Sequence, residues 1–242
     1  MGVPVIGCQC DVCVSEDVKD KRLRSSILIE TNDQTFVVDT GPDFREQMLR
    51  EKVARLTAVL YTHEHKDHTA GMDDVRAFNF LQNKPTDLYG SERVHEALKK
   101  DYAYVFAENT YPGIPKVDLH LIDDAPFVVE GVEIIPINAL HYNLPVHGFR
   151  IGDFSYLTDA NSITAAELDK MRGSKVVVLN ALRKEEHISH FTLAQAVELM
   201  EDIRPERGYF IHMSHQMGRH KAIEQELPDW IRLSYDRLQI EV

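Results

Sequence analysis

Residues 56–68 read LTAVLYTHEHKDH, and this run decides how the rest of the chain is read. Its first half is a short, continuous apolar stretch, the pattern of a buried strand. Its second half, THEHKDH (62–68), places His63, His65, Asp67 and His68 on one loop at the end of that strand. Side chains at i and i+2 can grip one ion if the backbone stays extended. The Asp67-His68 pair, two residues further on, can then face a second ion. Mixed nitrogen and oxygen ligation suits Zn, Mn or Fe. The plain alternative is a solvated polar loop.

One loop cannot close two metal sites, so other donors are needed. His141 in ALHYN, Asp159 in YLTDA, His190 in HFT and His212 in FIHMSH each lie near the end of an expected strand or before a helix. Strand ends on one edge of a sheet can converge on one cleft. Singly, each has a plain structural reading: His141 and His190 as capping or core residues, and Asp159 as a cap for a helix starting near Ser162 or Thr164.

A second stretch raises a separate question. GCQCDVC (7–13) holds Cys8, Cys10 and Cys13, the only cysteines among 242 residues. A disulfide framework would leave one thiol over, and a tetrahedral zinc site wants four ligands. Clustered thiols without a secretion signal read as metal ligands in a reducing compartment, so a cytoplasmic location is expected. No apolar run reaches the ~20 residues that span a bilayer.

The formal net charge is -12, from 39 acidic and 27 basic residues. That balance disfavours non-specific binding to nucleic acid or anionic membranes. The chain length suits one large α/β domain. SILIE (26–30) and TFVVDT (35–40) form a hairpin pattern, and helices are expected after GPDF and over 91–100. VDLHLI, FVVEGVEIIPI, HGFRIGD and FSYLTDA read as four strands of an antiparallel block. An ITAAELDKM helix, a KVVVLN strand, a TLAQAVELMEDI helix, an RGYFIHM strand and an HKAIEQEL helix follow. Residues 107–116 are the best loop candidate. No repeat or linker interrupts the chain, so a single domain over 1–242 with two sheets and outer helices is expected, with a zinc-binding loop at 7–14.

These motifs resemble those of the metallo-β-lactamase superfamily over nearly the whole chain. VVDTGPDF (37–44) resembles its first motif and THEHKDH its second, and His141, Asp159 and His212 fall in the family order. Within it, GVPVIGCQCDVC (2–13), HFTLAQA (190–196) and HMSHQ (212–216) are most similar to the phosphoribosyl cyclic phosphate phosphodiesterases of the carbon–phosphorus lyase pathway. That subgroup is itself similar to the tRNA 3′-processing endonucleases. The resemblance implies a four-layer αββα sandwich. Family members also carry a short strand and a Gly/Thr/Ser-rich turn before the GVP element, inside which this chain starts.

The resemblance also implies roles. His63, His65 and His141 would bind one metal, Asp67, His68 and His212 the second, and Asp159 would bridge them. The two divalent ions would be Mn or Zn. Asp39 would orient ligand imidazoles through hydrogen bonds; its plain reading is a turn residue before Gly41. Such a site suits a phosphodiester, attacked by a metal-bound hydroxide. His190 is the candidate general acid, and Asp67 can help hold or move the proton. A structural zinc would be held by Cys8, Cys10, Cys13 and His215, which follows His212 by three residues past a strand end.

The expected partner is therefore a small phosphodiester, with no nucleic acid and no membrane, and a homodimer stays open. The rival functions are tRNA 3′ processing, against which stand the charge and the lack of an inserted arm, and hydrolysis of a thioester or lactam. A metal-binding module without catalysis is a further alternative.

Overall fold

The computed structural model describes residues 2–108 and 111–242, so two residues of the expected loop at 107–116, Asn109 and Thr110, lie outside the described residues. The chain divides into two compact units, Arg24–Val132 and the pair of segments Met1–Leu23 with Glu133–Val242.

The Arg24–Val132 unit opens with β1 (Ile27–Thr31) and β2 (Gln34–Val38), paired antiparallel. Asn32 and Asp33 join them, both with positive φ (49° and 61°), the pairing a tight hairpin turn requires. Then come α1 (Phe44–Arg50), β3 (Ala58–Leu60), α2 (Lys66–Thr69), α3 (Arg76–Gln82), β4 (Thr86–Gly90), α4 (Glu92–Asp101), β5 (Val117–Leu121) and β6 (Phe127–Val129). The five-stranded sheet runs β1-β2-β3-β4-β5, with β2 to β5 mutually parallel. Ser91 caps α4 by accepting from the Val94 amide, as the Ser-led helical pattern predicts. Val37, Val59, Tyr61, Leu88, Val94 and Leu98 are fully buried in this unit's core.

VDLHLI does not belong to an antiparallel block. It forms β5 and pairs parallel with β4. The reason is β4, TDLYG, whose residues carry no strand pattern of their own. It is five residues long, carries Asp87, and becomes a strand through its neighbours β3 and β5 rather than through propensity.

The second unit contains β7 (Val132–His141), β8 (Leu144–Ile151), β9 (Phe154–Leu157), β10 (Ser162–Ile163), α5 (Ala165–Met171), β11 (Val176–Asn180), α6 (Leu193–Ile203), β12 (Arg207–Ile211), α7 (His220–Glu224) and β13 (Ile231–Leu233). The strands lie in the order β10-β7-β8-β9-β11-β12-β13. β7 to β9 are antiparallel, and β9, β11, β12 and β13 are parallel, as β-α-β alternation predicts. β11 (VVVLN) is buried at every position, which explains its unbroken apolar run. Thr192 and Gln195 close a reciprocal capping box at the start of α6. Thr164, not Asp159, caps α5. Both Asp159 and His190 are thereby released from the capping roles that a structural reading gives them.

Candidate metal centres

Three of the site residues follow strand ends in a left-handed backbone conformation: Asp39 after β2 (φ 63°), Asp159 after β9 (φ 57°) and His212 after β12 (φ 60°). Each turns the chain sharply where the ladder ends. Aspartate and histidine are both enriched in this region relative to most residues that carry a Cβ, so each of these turns is filled by a suitable side chain.

In the first unit the site is built around the buried carboxylate of Asp39. Oδ1 accepts the Thr62 amide (2.8 Å), and Oδ2 accepts the Thr62 hydroxyl (2.8 Å) and lies 2.7 Å from His68 Nδ1. The single Thr62 hydroxyl proton goes to Asp39, so His63 Nδ1, 2.9 Å from Thr62 Oγ1, must be the donor in that pair. His68 Nδ1 likewise donates to Asp39. Both imidazoles are thus held in the tautomer whose Nε2 carries the lone pair, the arrangement found in carboxylate-supported metal ligands. His63 Nε2 lies 3.0 Å from His65 Nδ1, and the His63 and His68 rings are 4.3 Å apart. Asp67 Oδ2 lies 3.9 Å from His68 Nε2. Burial raises the Asp39 carboxyl above the ordinary range, opposed by His68 and the Thr62 bonds.

Glycine makes this packing fit. The Thr40 amide donates to the His68 carbonyl (2.8 Å), and the Gly71 amide donates to the Thr40 carbonyl (2.8 Å). A Cβ on Gly41 would sit 2.3 Å from the Asp67 carbonyl oxygen. The DTG turn and the histidine loop therefore touch backbone to backbone.

In the second unit, Asp159 gathers three histidines. Its Oδ1 lies 2.9 Å from His212 Nδ1 and accepts the Thr158 hydroxyl (2.8 Å). Donor atoms of His141, Asp159 and His190 lie within 4.8 Å of one another. His141 Nδ1 faces the Ser189 carbonyl at 2.7 Å, and because a carbonyl only accepts, Nε2 again carries the lone pair. His190 stacks on His212, with ring centroids 5.0 Å apart.

His190 departs in one respect from what a general acid needs, which is a pKa near operating pH. Burial pushes it down to about 3; Asp159 pulls it up, while His212 and His141 add to the lowering. Its Nδ1 is buried and has no hydrogen-bond partner among the described residues. His187 follows no strand end, so the sequence does not mark it as a site residue. It lies 5.1 Å from His190, ring to ring, and its only sequence signal is the His-x-x-His spacing of 187–190.

The thiols also find a fourth donor. Cys8, Cys10, Cys13 and His215 each offer an atom within 4.8 Å of the others. His215 Nδ1 lies 3.2 Å from Cys8 Sγ and 3.4 Å from Cys10 Sγ. Hydrogen bonding, first with the Cys13 backbone and then with His215, draws Cys10 down to about 6, while burial pushes Cys13 up to about 11. Three sulfurs and one imidazole nitrogen within this distance could hold a metal ion, and closed, tetrahedral zinc sites use such a donor set.

With two-sheet α/β architecture and histidine-carboxylate donor sets described, the class follows. The chain belongs to the beta-lactamase superfamily, whose domain model matches residues 34–213, and it has the metallo-β-lactamase fold. Within that superfamily it is related to the PhnP family. A crystal structure described as a new diphosphatase from that family matches with a TM-score of 0.93 and 36% identity, over 100% of this chain and 93% of that one. The octanoyltransferase of Porphyromonas gingivalis strain W83 is 37% identical over 241 residues, 98% of this chain but 49% of that protein. The chain thus spans about half the length of that relative. Ribonuclease Z of Crocosphaera subtropica is 25% identical over 125 residues, 50% of this chain and 38% of that protein. The fold and the PhnP-family neighbour support a metal-dependent hydrolase, with histidine and aspartate clusters that could hold metal. Among the described residues no helix is long and apolar enough to cross a membrane.

Proposed function

We propose that the protein is a metal-dependent phosphodiesterase acting on a small cyclic phosphate, with phosphoribosyl 1,2-cyclic phosphate as the specific candidate. The observation that carries this reading is the set of imidazoles locked with Nε2 unprotonated, His63 and His68 through Asp39 and Thr62, and His141 through the Ser189 carbonyl. We assign His63, His65 and His141 to one ion, Asp67, His68 and His212 to a second, and Asp159 to both, with Mn or Zn as the ions. When bound, such ions neutralise charge on phosphoryl oxygens and lower the pKa of water toward neutrality.

The chain's own residues do the rest. Asp39 and Ser189 hold ligand rings in place. His190 is neutral in the structure, yet an arriving phosphoryl anion favours its charged form and raises its affinity for a proton. It then serves as donor to the departing alkoxide, with Asp67 helping to hold or move the proton. A third metal, zinc, is assigned to Cys8, Cys10, Cys13 and His215. The clustered thiols fit a reducing compartment, so we place the protein in the cytoplasm.

The diphosphatase relative adds diphosphates to the substrates worth testing. The octanoyltransferase activity belongs to a protein about twice as long and does not transfer on similarity alone. Ribonuclease Z similarity keeps tRNA cleavage as an alternative, opposed by a net charge of -12. The deciding experiment is a screen of Mn- and Zn-loaded protein against cyclic and linear phosphodiesters, diphosphates, a thioester and a tRNA precursor. Turnover of the small cyclic phosphate is expected. Cleavage of only the tRNA precursor or the thioester refutes the reading. With His190→Ala, turnover should fall about 10²–10⁴-fold for an alkoxide leaving group and far less for p-nitrophenolate. Equal losses would remove His190 from proton transfer.

A further inference from the structure

The histidine loop carries two charged side chains that metal ligation does not use. THEHKDH places Glu64 between His63 and His65, and Lys66 between His65 and Asp67. Both are tied to one helix, α4. Arg93, in its first turn, donates to Glu64 Oε1 twice, from Nε (3.0 Å) and from Nη2 (2.6 Å). Asp101, its last residue, pairs with Lys66. One position further on, the Tyr102 hydroxyl donates to the Thr69 carbonyl (2.9 Å). The same helix therefore holds the loop at 64, 66 and 69, the positions between and just after His63, His65, Asp67 and His68.

The helix does not need these two charges for itself. A cation in the first turn and an anion at the last position each oppose the helix macrodipole, by about 0.3–1 kcal/mol. Glu92 at the start and Lys99 and Lys100 near the end run with the dipole, so Arg93 and Asp101 stand out against it. What they gain lies outside the helix. The Glu64 side chain is only 18% exposed, and its Oε2 is buried with no hydrogen-bond partner among the described residues. A carboxylate so far withdrawn from water needs a countercharge, and Arg93 supplies it. The loop geometry shows the consequence. His65 is in the extended region (φ −62°, ψ 149°), where neighbouring side chains leave on opposite sides. With Glu64 drawn to α4, His63 and His65 are left together, His63 Nε2 lying 3.0 Å from His65 Nδ1.

We infer that α4 is a splint for the histidine loop, with Arg93 and Asp101 acting through Glu64 and Lys66 as positioning residues that hold His63 and His65 ready for an ion. The inference rests on the assignment of His63 and His65 as metal ligands and not on the identity of the substrate. Arg93 and Lys66 are 58% and 62% exposed, so the two pairs add little to global stability. Their effect is local. A loop already ordered before the ion arrives loses less conformational freedom when it binds, and so binds more tightly.

The test is made on the full chain, with Mn and Zn titrated separately. Mn disfavours thiolates, so its binding reports the histidine and carboxylate donors. Arg93→Glu and Asp101→Lys should each weaken Mn binding about tenfold, the low end for groups that orient ligands. Exchanging the partners, Glu64→Arg with Arg93→Glu and Lys66→Asp with Asp101→Lys, should recover most of each loss. Wild-type affinity in both single variants overturns the splint, and so does a loss that neither exchange recovers. Should the charge reversals fail to fold, Arg93→Gln and Asp101→Asn take their place; weaker Mn binding at an unchanged urea midpoint is expected, and a loss that follows the midpoint marks general destabilisation and overturns the proposal. A second readout needs no metal. Amide exchange over residues 63–69 of the metal-free chain should be faster in Arg93→Gln and Asp101→Asn, and unchanged rates count against the splint. A wild-type chain that takes up no Mn and a single Zn refutes the ligand assignment itself, and the splint falls with it. Mn binding with the expected variant pattern but no turnover of any phosphoric ester refutes the phosphodiesterase reading and leaves the splint standing.

Discussion

Replacing His215 by Ala removes the one nitrogen from the thiol cluster, and its consequence can be worked from the geometry. A tetrahedral zinc with Zn–S about 2.3 Å and Zn–N about 2.0 Å separates its sulfur and nitrogen ligands by about 3.5 Å. His215 Nδ1 lies 3.2 and 3.4 Å from Cys8 and Cys10 Sγ, so the donors already sit near the edges of that polyhedron, slightly drawn in. The segment they anchor has little other support. Its apolar cluster is Val3, Val12 and Cys13 with Val5, Cys8 and Cys10 around them, and one isolated bridge joins Val3 to Arg22. Zinc present at 1,000 times its Kd stabilises the folded state by about 4 kcal/mol. For a chain of 242 residues each kcal/mol moves Tm by about 2–4 °C, giving a shift of about 8–16 °C. The assay is zinc content after exhaustive dialysis against a chelator, with calorimetric Tm on the same samples. Wild-type protein should keep one resistant zinc, His215→Ala should lose it, and its Tm should fall to that of fully stripped wild type. Retention of this zinc by His215→Ala with unchanged affinity refutes the assignment.

Asp39→Asn places an NH₂ where one carboxylate oxygen accepts, leaving either the Thr62 amide or His68 Nδ1 facing a donor. Affinity for the active-site metals should fall about 10–100-fold in competition titrations, and a wild-type value would remove Asp39 from ligand orientation. Thr192→Ala opens the capping box of α6 and should cost about 1 kcal/mol in urea unfolding; no loss would show that the cap is redundant. His220 is held neutral by burial and by Lys19 and Arg22, against Glu224 and Asp17, while Asp20 accepts its backbone amide and Tyr235 packs on its ring. Its folded pKa lies below the unfolded value of about 6.5, so the unfolded chain takes up the proton first as pH falls. Its contribution is constant above about pH 6.5, and stability falls below it by up to about 1.4 kcal/mol per pH unit. Urea midpoints at pH 7.5, 6.5 and 5.5 should therefore diverge between wild type and His220→Gln, and parallel curves would exclude the effect.

The strands with strong internal patterns were readable from composition and alternation: β1 and β2 around a two-residue turn, β11 as an all-buried run, and β8 and β9 around Gly152. Elements that exist only through their neighbours were not. β4 takes its strand from β3 and β5, and β13 is a three-residue addition to β12. The same division holds at the site. THEHKDH is local, so its chemistry shows in one line of sequence. The tautomers are not local: His63 is fixed through Thr62 to Asp39, 24 positions earlier, and His141 through a carbonyl 48 positions later. His187 stayed hidden because only the folded 183–190 loop brings it to His190.

Residues 212–215 show how one short segment serves two donor sets. The left-handed turn at His212 ends β12 and sends its imidazole to Asp159. Met213 is buried in the apolar core, and the Ser214 amide donates to the Leu182 carbonyl at 2.9 Å. His215 then emerges toward Cys8 and Cys10. The middle of the segment is thus anchored at two points between the two histidines. A regular strand would put positions 212 and 215 on opposite faces by alternation alone, but it would also continue the ladder and leave neither side chain at its end. The positive φ at His212 breaks the strand there, and three residues on His215 reaches the thiol cluster. A zinc bound by Cys8, Cys10, Cys13 and His215 would therefore tie the N-terminal loop to the chain three residues past His212, the histidine beside Asp159.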